Sequence, residues 1–305
     1  MARACADYEV QLVTEPKPLP RSLLLSHAAS CNALLIGAAE RLDAETIRQL
    51  VTSIKIVATH SVGFEHIDIE AARAAGLVIT NTPDVLTDAT AETAVLLALT
   101  ACRRSGEGER IVRRNQWRAI SRTGMLGHGL SGKRVGILGL GRVGLAVAAR
   151  LVPFGVSLHY HSRRQVQAAQ GLGAAYHATA LDLFRVSDVL IVTAAATPQT
   201  RNIVDRVALA ALPAGAYLVN IARGELVDEE AVFAALASGH LAGAGIDVFI
   251  NEPDINPRWL EFENVALLPH LGSATVETRT AMGMRALDNL DAYFRGERPR
   301  DQVVP

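Results

Sequence analysis

The chain has 305 residues, half of them hydrophobic and a fifth charged, with a formal net charge of −1. That length exceeds one typical core and suits two domains, and the near-balanced charge offers no field to hold nucleic acid or an anionic membrane surface. No run reaches the ~18 apolar residues of a membrane span, and the N-terminus, Met1-Ala2-Arg3-Ala4-Cys5-Ala6-Asp7, carries charge and lacks a signal-peptide core.

From the N-terminus, short apolar runs predict strands over 10–13, 33–36, 54–58 and 77–80, separated by helix-period stretches around 21–29, 44–50 and 69–75. Asp43 and Asp68 stand where N-caps belong, and Gly76 stands where the last of these helices stops. This is a flavodoxin-like succession of strands and helices. A long helix follows, from 87 or 88 to near 105. Its apolar stretch 94–102 ends in Arg103-Arg104 and reads as a buried helix, while the arginines between 110 and 118 read as a solvated face. Six further strands are predicted over 134–140, 156–160, 188–194, 216–222, 243–249 and 265–270, and an amphipathic helix over 276–294 returns the chain to the first domain. The expected fold is therefore α/β with two domains. A Rossmann NAD(P)-binding domain, 93–275, is inserted into a flavodoxin-like substrate domain made of 1–92 and 276–305. The three cysteines, Cys5, Cys31 and Cys102, are widely spaced and odd in number. They suit a reducing cytoplasm better than a disulfide framework or a metal site, and no metal is expected.

Within the second domain, Lys133-Arg134-Val135-Gly136-Ile137-Leu138 runs into Gly139-Leu140-Gly141-Arg142-Val143-Gly144, a G-x-G-x-x-G between a strand and a helix. Glycine triplets alone are weak evidence; strand, helix and second strand around them make a dinucleotide fingerprint. Gly139 permits the tight turn, Gly141 lets a pyrophosphate approach the backbone, and Gly144 lets helix and strand pack closely. The free N–H groups and dipole at the helix start hold the phosphate charge. An NAD site wants Asp or Glu about 20 residues past the first glycine. Here the chain reads His161-Ser162-Arg163-Arg164. Arg163 and Arg164 suit charge-assisted pairs with a 2′-phosphate and Ser162 can donate to it, so NADPH is the expected cofactor, with NADH possible. Two simply solvated arginines are the competing reading, and even then the missing acid argues against a strong NAD preference.

Three later residues each follow an apolar strand: Arg223 after Leu218-Val219-Asn220-Ile221-Ala222, Glu252 after the strand ending at Phe249, and His270 after Leu268-Pro269. In an open α/β sheet, ligands bind at the carboxyl ends of the strands. A cation, a carboxylate and an imidazole there point to acid–base chemistry on an anionic substrate. Charged residues at strand ends are common, so three unrelated loop residues stand as the alternative from spacing alone.

Several segments together resemble the D-isomer-specific 2-hydroxyacid dehydrogenases, and within them the glyoxylate/hydroxypyruvate reductase branch, which includes hydroxy(phenyl)pyruvate reductases. They are Ser61-Val62-Gly63-Phe64-Glu65-His66-Ile67-Asp68, Thr80-Asn81-Thr82-Pro83-Asp84-Val85-Leu86-Thr87, Gly139 to Gly144, Tyr160-His161-Ser162-Arg163, Asn220-Ile221-Ala222-Arg223-Gly224, Gly245-Ile246-Asp247-Val248-Phe249, Asn251-Glu252-Pro253 and Leu268 to Thr275. The resemblance covers nearly the whole chain. It implies that Arg223, Glu252 and His270 are catalytic, that Val62 and Gly63 offer backbone N–H groups to a substrate carboxylate, and that Asp247 meets the nicotinamide carboxamide. Arg142, Val143, Ala194, Thr200 and Ile221 are further cofactor contacts on the same ground. It also implies a homodimer, built through the helix near 90–118 and the loop after it.

The expected reaction is reduction of a small 2-oxoacid, glyoxylate, hydroxypyruvate or a bulkier aryl-pyruvate, to the D-2-hydroxyacid. Arg223 grips the carboxylate and polarises the carbonyl. His270 gives the proton, and Glu252, bonded to the other ring nitrogen, fixes the tautomer and favours the imidazolium. The alternative is a cofactor-sensing, corepressor-like binding protein on the same scaffold. Three departures from the family bear on these expectations. Relatives usually begin with one more strand and helix, the strand being central in flavodoxin-like order, so the small domain is expected either to start upstream or to be rearranged. Ala195 stands where relatives commonly have Pro. Ile120 stands where some glyoxylate reductases have an aromatic from the neighbouring subunit, three residues beyond Trp117.

Overall fold

A computed structural model describes residues 2–15, 18–119 and 122–304. The chain opens with α1 (Ala2–Asp7), α2 (Arg21–Ala28), β1 (Ala33–Ile36), α3 (Ala44–Leu50), β2 (Ile56–Thr59), α4 (Ile69–Ala74) and β3 (Val78–Thr80). It continues with α5 (Thr87–Arg103), α6 (Ser105–Arg113), β4 (Arg134–Leu138), α7 (Arg142–Leu151), β5 (Ser157–His161), β6 (Ala175–Tyr176) and α8 (Ala180–Val186). Then come β7 (Val189–Val192), α9 (Arg206–Ala211), β8 (Ala216–Asn220), α10 (Glu229–Ala237), β9 (Leu241–Ile246) and β10 (Val265–Leu267), and finally α11 (Val276–Phe294) and β11 (Gln302–Val304). Contacts divide the chain into a first unit, Met1–Leu86 with Thr275–Pro305, and a second, Thr87–Ala274. The first crossing thus falls ahead of α5 rather than near 92, because α5 packs along α7, β8 and β9 and belongs whole to the second unit.

In the first unit the described strands form one sheet in the order β1-β2-β3-β11, parallel from β1 to β3 and antiparallel at β11. β2 is buried at all four positions, as a strand covered on both faces must be. Asp43 accepts from the Thr46 N–H and Asp68 from the Ala71 N–H, so both expected caps form and each satisfies a donor at its helix start. The strand expected over 10–13 does not form. A strand exists only through a hydrogen-bonded neighbour, and β1 ends the described sheet. The segment is tied to α2 by side chains instead, Gln11 Nε2 lying 2.9 Å from His27 Nδ1. α1 and β11 were not predicted; α1 is held to α11 through Arg3, whose guanidinium reaches Asp288 at 2.7 Å and Asp291 at 2.5 Å.

The second unit holds seven strands among the described residues, all parallel, in the order β10-β9-β8-β7-β4-β5-β6. This is one strand more than expected, and the extra strand, β6, has only two residues, too few to show a period. From β4 the chain runs outward through β5 to β6, then crosses back to β7 on the other side of β4, the doubly wound Rossmann order. One face of the sheet packs under α5 and α7, with Leu97, Val147 and Leu151 buried there. The other packs under α8, α9 and α10, with Phe184, Leu209 and Phe233. Helices on both faces leave the carboxyl ends of the strands as the open edge, and the sequence-predicted residues of this unit lie there, in the loops that follow or, for Arg142, Val143 and Gly144, in the first turn of α7.

Candidate active site

The nucleotide end is built on close backbone approach. Gly139, after β4, has φ +95°, and a Cβ on it would lie 2.6 Å from Ala194 Cα, so glycine is required twice over. A Cβ on Gly144 would lie 2.4 Å from the Gly139 carbonyl oxygen, which is how closely α7 sits on the strand end. Gly141 differs: a Cβ there would meet no protein atom within 4 Å. It is the N-cap of α7 and supplies no side-chain cap. The start of α7, at Arg142 and Val143, carries the positive end of the helix, and beside Gly141 there is room for a ligand to approach it. That helix end and that space fit a pyrophosphate.

At the end of β5, Arg163 and Arg164 are exposed. The Ser162 hydroxyl donates to the Arg164 carbonyl at 2.5 Å, and the Tyr160 hydroxyl accepts from the Val166 N–H at 3.0 Å, so the turn carrying both arginines is fixed from two sides. The loop after β7 is closed by Thr200, whose hydroxyl donates to the Ala195 carbonyl at 2.7 Å and accepts from the Thr197 N–H at 2.8 Å. Ile221 is buried under α5 and α7.

The second cluster begins where β8 ends. Asn220, 1% exposed, accepts from the Ala222 N–H at 3.1 Å and donates to the Arg223 carbonyl at 2.9 Å, folding the turn that carries Arg223. Gly224 follows because nothing larger fits: a Cβ there would lie 2.2 Å from the Phe249 carbonyl carbon. The chain after β8 thus touches the chain after β9, and the Glu252 loop lies against it. Glu252 Oε1 accepts from the Phe249 N–H at 2.7 Å, and Oε2 lies 2.6 Å from His270 Nδ1. Burial pushes the Glu252 carboxyl up, but the bond and charge of His270, the Phe249 N–H and the Arg223 charge more than offset it and hold it below its ordinary value. Glu229, a buried carboxylate, accepts from Trp259 Nε1 at 3.1 Å and from the Ile250 N–H at 3.3 Å, bracing the same loop.

His270 sits at φ +53°, a left-handed conformation that a non-glycine residue adopts only when its surroundings impose it. Asp247 imposes it. Its backbone carbonyl accepts from the His270 N–H at 2.9 Å, and its carboxylate accepts from Leu271 N–H at 2.6 Å and Gly272 N–H at 2.8 Å. Asp247 is 1% exposed, and that burial pushes its carboxyl above the ordinary value despite the two N–H groups. A cavity of about 300 Å³ opens beside the pair, lined by Phe249, Glu252, Pro253, Leu267, Leu268 and His270. An imidazole held by a carboxylate, with a guanidinium near enough to act on that carboxylate, can move a proton to or from an anionic substrate.

Val62 and Gly63 lie in the first unit, in the loop after β2. The Ser61 carbonyl accepts from the Thr82 N–H at 2.9 Å, the Val62 carbonyl from Asn81 Nδ2 at 2.8 Å, and the Gly63 carbonyl from the Ser61 hydroxyl at 2.6 Å. Trp117 is 63% exposed, and Ile120 lies outside the described residues. Sequence reasoning missed Asn220, Glu229, the Phe249 N–H and the clasp made by Asp247; a buried polar residue at a loop carries no periodic signal by which to find it.

The profile of the D-isomer specific 2-hydroxyacid dehydrogenase NAD binding domain matches residues 95–272. The chain is 38% identical over 298 residues to a glycerate dehydrogenase of Hyphomicrobium methylovorum, an alignment covering 97% of this chain and 92% of that one. It is 42% identical over 282 residues to a glyoxylate/hydroxypyruvate reductase of Arabidopsis thaliana, covering 92% and 88% of the two chains. Among solved structures, an NADPH-dependent glyoxylate/hydroxypyruvate reductase from Sinorhizobium meliloti, in complex with NADP and malonate, superposes with a TM-score of 0.83 at 38% identity, covering 93% of this chain and 87% of that one.

Proposed function

The chain belongs to the D-isomer specific 2-hydroxyacid dehydrogenase family, and from that premise we propose that it reduces small 2-oxoacids, glyoxylate and hydroxypyruvate first among them, with NADPH preferred over NADH. Aryl-pyruvates belong to the same reading as possible larger substrates. The observation that carries it is the 2.6 Å contact of His270 Nδ1 with Glu252, whose other oxygen is locked on the Phe249 N–H. When bound, the reduced dinucleotide supplies the hydride. Arg223 holds the substrate carboxylate with its planar fork and draws charge towards the neighbouring carbonyl oxygen. His270 gives that oxygen a proton from Nε2, and Glu252 keeps Nδ1 protonated and stabilises the imidazolium before transfer. Val62 and Gly63 offer N–H groups to the carboxylate.

Gly139, Gly141, Arg142, Val143, Gly144, Ala194, Thr200, Ile221 and Asp247 would hold the dinucleotide. Asp247 can still accept from a carboxamide, since each of its oxygens has a second lone pair. The NADPH preference rests on Arg163 and Arg164, two exposed guanidiniums with no carboxylate between 157 and 166; Ser162, expected to donate to the 2′-phosphate, instead gives its one proton to the Arg164 carbonyl and fixes the turn. The relative from Sinorhizobium meliloti is described as NADPH-dependent, which supports the same preference here. The experiment is oxidation of NADPH and NADH with glyoxylate, hydroxypyruvate, pyruvate and phenylpyruvate. Turnover of at least one 2-oxoacid, faster with NADPH, is expected; no turnover with any of them would refute the reading. The enzyme is further read as a cytoplasmic homodimer. Leu96, Val112, Trp117, Leu126 and Leu260 are all more than half exposed, an apolar surface that a second copy would cover, and light scattering at monomer mass would refute the dimer. No helix among the described residues is long and apolar enough to cross a membrane.

A further inference from the structure

The loop after β2 reads Thr59-His60-Ser61-Val62-Gly63-Phe64-Glu65-His66, and the hydrogen bonds inside it have only one possible direction. The Ser61 hydroxyl has a single proton and lies 2.6 Å from the Gly63 carbonyl, which can only accept, so that proton is committed there. In the 2.8 Å contact between Ser61 Oγ and Thr59 Oγ1, Thr59 must therefore be the donor. That spends the one proton of Thr59. In its 3.0 Å contact with His66 Nε2 the imidazole must then donate. The result is a one-way chain from His66 Nε2–H through Thr59 and Ser61 to the Gly63 carbonyl. Thr59 is 0% and Ser61 8% exposed, so water competes little for these bonds and each polarises the next.

The Gly63 carbonyl is the last of three consecutive carbonyls held in this loop, the others being Ser61 on the Thr82 N–H and Val62 on Asn81. In a trans peptide the N–H points opposite to the C=O of the same unit, and the cis bond among the described residues is elsewhere, at Glu252–Pro253. Each of the N–H groups of Val62, Gly63 and Phe64 therefore points away from the partner that holds the carbonyl of its own peptide unit. Among the described residues none of those three N–H groups donates a hydrogen bond.

We propose that His66, acting through Thr59 and Ser61, is a positioning residue that pre-sets the loop as a three-donor cradle for a carboxylate, extending the grip of Val62 and Gly63 to the Phe64 N–H. This rests on the proposed reduction of a 2-oxoacid and adds the residues that set its carboxylate site. A loop ordered before binding loses less entropy on binding, so the effect belongs in substrate affinity. His66 touches no reacting atom.

The test compares wild type with His66→Leu, His66→Gln and Ser61→Ala. The readouts are KM for glyoxylate, inhibition by oxamate, kcat, and the Kd for NADPH. The leucine and alanine variants are expected to raise KM and weaken oxamate about tenfold, the worth of one or two hydrogen bonds. In both, kcat should stay within about threefold and the NADPH Kd should be unchanged, because a bond is lost without a catalytic group. Glutamine can present an amide N–H in place of Nε2–H, and His66→Gln should bring KM back to within about threefold of wild type. An unchanged KM in both His66→Leu and Ser61→Ala overturns the inference, as does a glutamine variant no better than leucine. Should His66→Leu fail to fold, Ser61→Ala, which removes one oxygen, and His66→Gln decide it. Wild type that turns over no 2-oxoacid overturns the functional reading itself. Wild type that turns over normally beside variants of unchanged KM overturns the positioning role alone.

Discussion

Replacing Glu252 with glutamine exchanges one oxygen for an NH₂ and tests the proton chemistry at the least structural cost. In the native site both carboxylate oxygens accept, one from the Phe249 N–H at 2.7 Å and one from His270 Nδ1 at 2.6 Å. A carboxamide has one acceptor and one donor end. With its oxygen on Phe249, the NH₂ faces Nδ1, which must then accept. The ring proton moves to Nε2 and the imidazolium is opposed by two facing donors. With the amide turned round, the Phe249 N–H is the group left facing a donor, at a cost of ~1–3 kcal/mol. The electrostatic loss points the same way. An imidazolium and a carboxylate ~4 Å apart attract by ~1 kcal/mol in water and ~4 kcal/mol at an effective dielectric of ~20. The two side chains are 39% and 32% exposed, so solvent screening favours the lower end. A misplaced general acid forfeits a share of the ~10²–10⁴ it supplies. Glu252→Gln should therefore lower kcat ~10²-fold or more between about pH 6 and about pH 8, with the NADPH Kd unchanged, because the glycine turn lies at other strand ends. Steady-state kcat against pH, with NADPH binding as control, reads this directly. A variant turning over within about threefold of wild type across that range would refute the role of the pair.

Charge reversal of preference is expected at the end of β5: Arg163→Ala with Arg164→Ala should raise KM for NADPH ~10–100-fold, the worth of two charge-assisted bonds, and leave NADH kinetics nearly unchanged. Equal loss with both cofactors would remove the 2′-phosphate assignment. Gly224→Ala places a Cβ 2.2 Å from backbone that cannot yield, so it should lower the Tm, at ~1–3 kcal/mol for such overpacking, and reduce kcat/KM by displacing Arg223 and the Glu252 loop together. In the first unit, Asp301, 8% exposed, is bonded by Arg285 at 2.8 Å and Asn289 at 3.0 Å. Burial pushes its carboxyl up, and the two bonds and the charge of Arg285 more than offset that, so the folded group titrates below its ordinary 3.8. The stability it contributes is complete above 3.8 and is lost as pH falls below it towards the folded value. Arg285→Ala leaves a buried carboxylate unpaired, which costs ~3–5 kcal/mol, and circular dichroism should show acid unfolding beginning at a higher pH than in wild type.

Features with a local cause were legible in the sequence. The capping aspartates need only the residues three positions on, and the glycine turn needs only the strand and helix that flank it. Features with a distant cause were not. The alternation over 10–13 reads as a strand, but a strand is completed by a neighbour, and the described sheet has none beyond β1. β6 and β11 are short segments made regular by the strands they lie against, β5 and β3. The candidate site divides in the same way. Arg223, Glu252 and His270 could be picked out because each follows an apolar strand, yet nothing in their spacing shows that Glu252 meets His270. Thr200, expected to touch the cofactor, has its hydroxyl engaged in closing its own loop. Asn220, Glu229 and His66 are polar residues that hold backbone or other side chains in place, and a sequence writes them no differently from solvated ones.

Asp247 and Glu252 show why holding and reacting are separate tasks here. Asp247 is 1% exposed and the Glu252 side chain 32%; in both, burial pushes the acid up, yet Asp247 is displaced upward and Glu252 downward. The difference lies in what faces them. Asp247 has two backbone N–H groups and only the through-space charge of His270, with the charge of Glu252 opposing its own ionisation. Glu252 faces an imidazole and the charge of Arg223. N–H dipoles are fixed, so Asp247 contributes the same geometry before and after a proton moves; its effect is to keep His270 in a left-handed conformation that it would not adopt alone. The charge of His270 changes when the proton moves, so Glu252 attracts one state of the ring more than the other, which is the condition for acting on a rate rather than on binding alone. Exchanging the two partners would lose both effects: a carboxylate on the Leu271 and Gly272 amides cannot favour the imidazolium through Nδ1, and one on Nδ1 cannot hold the loop.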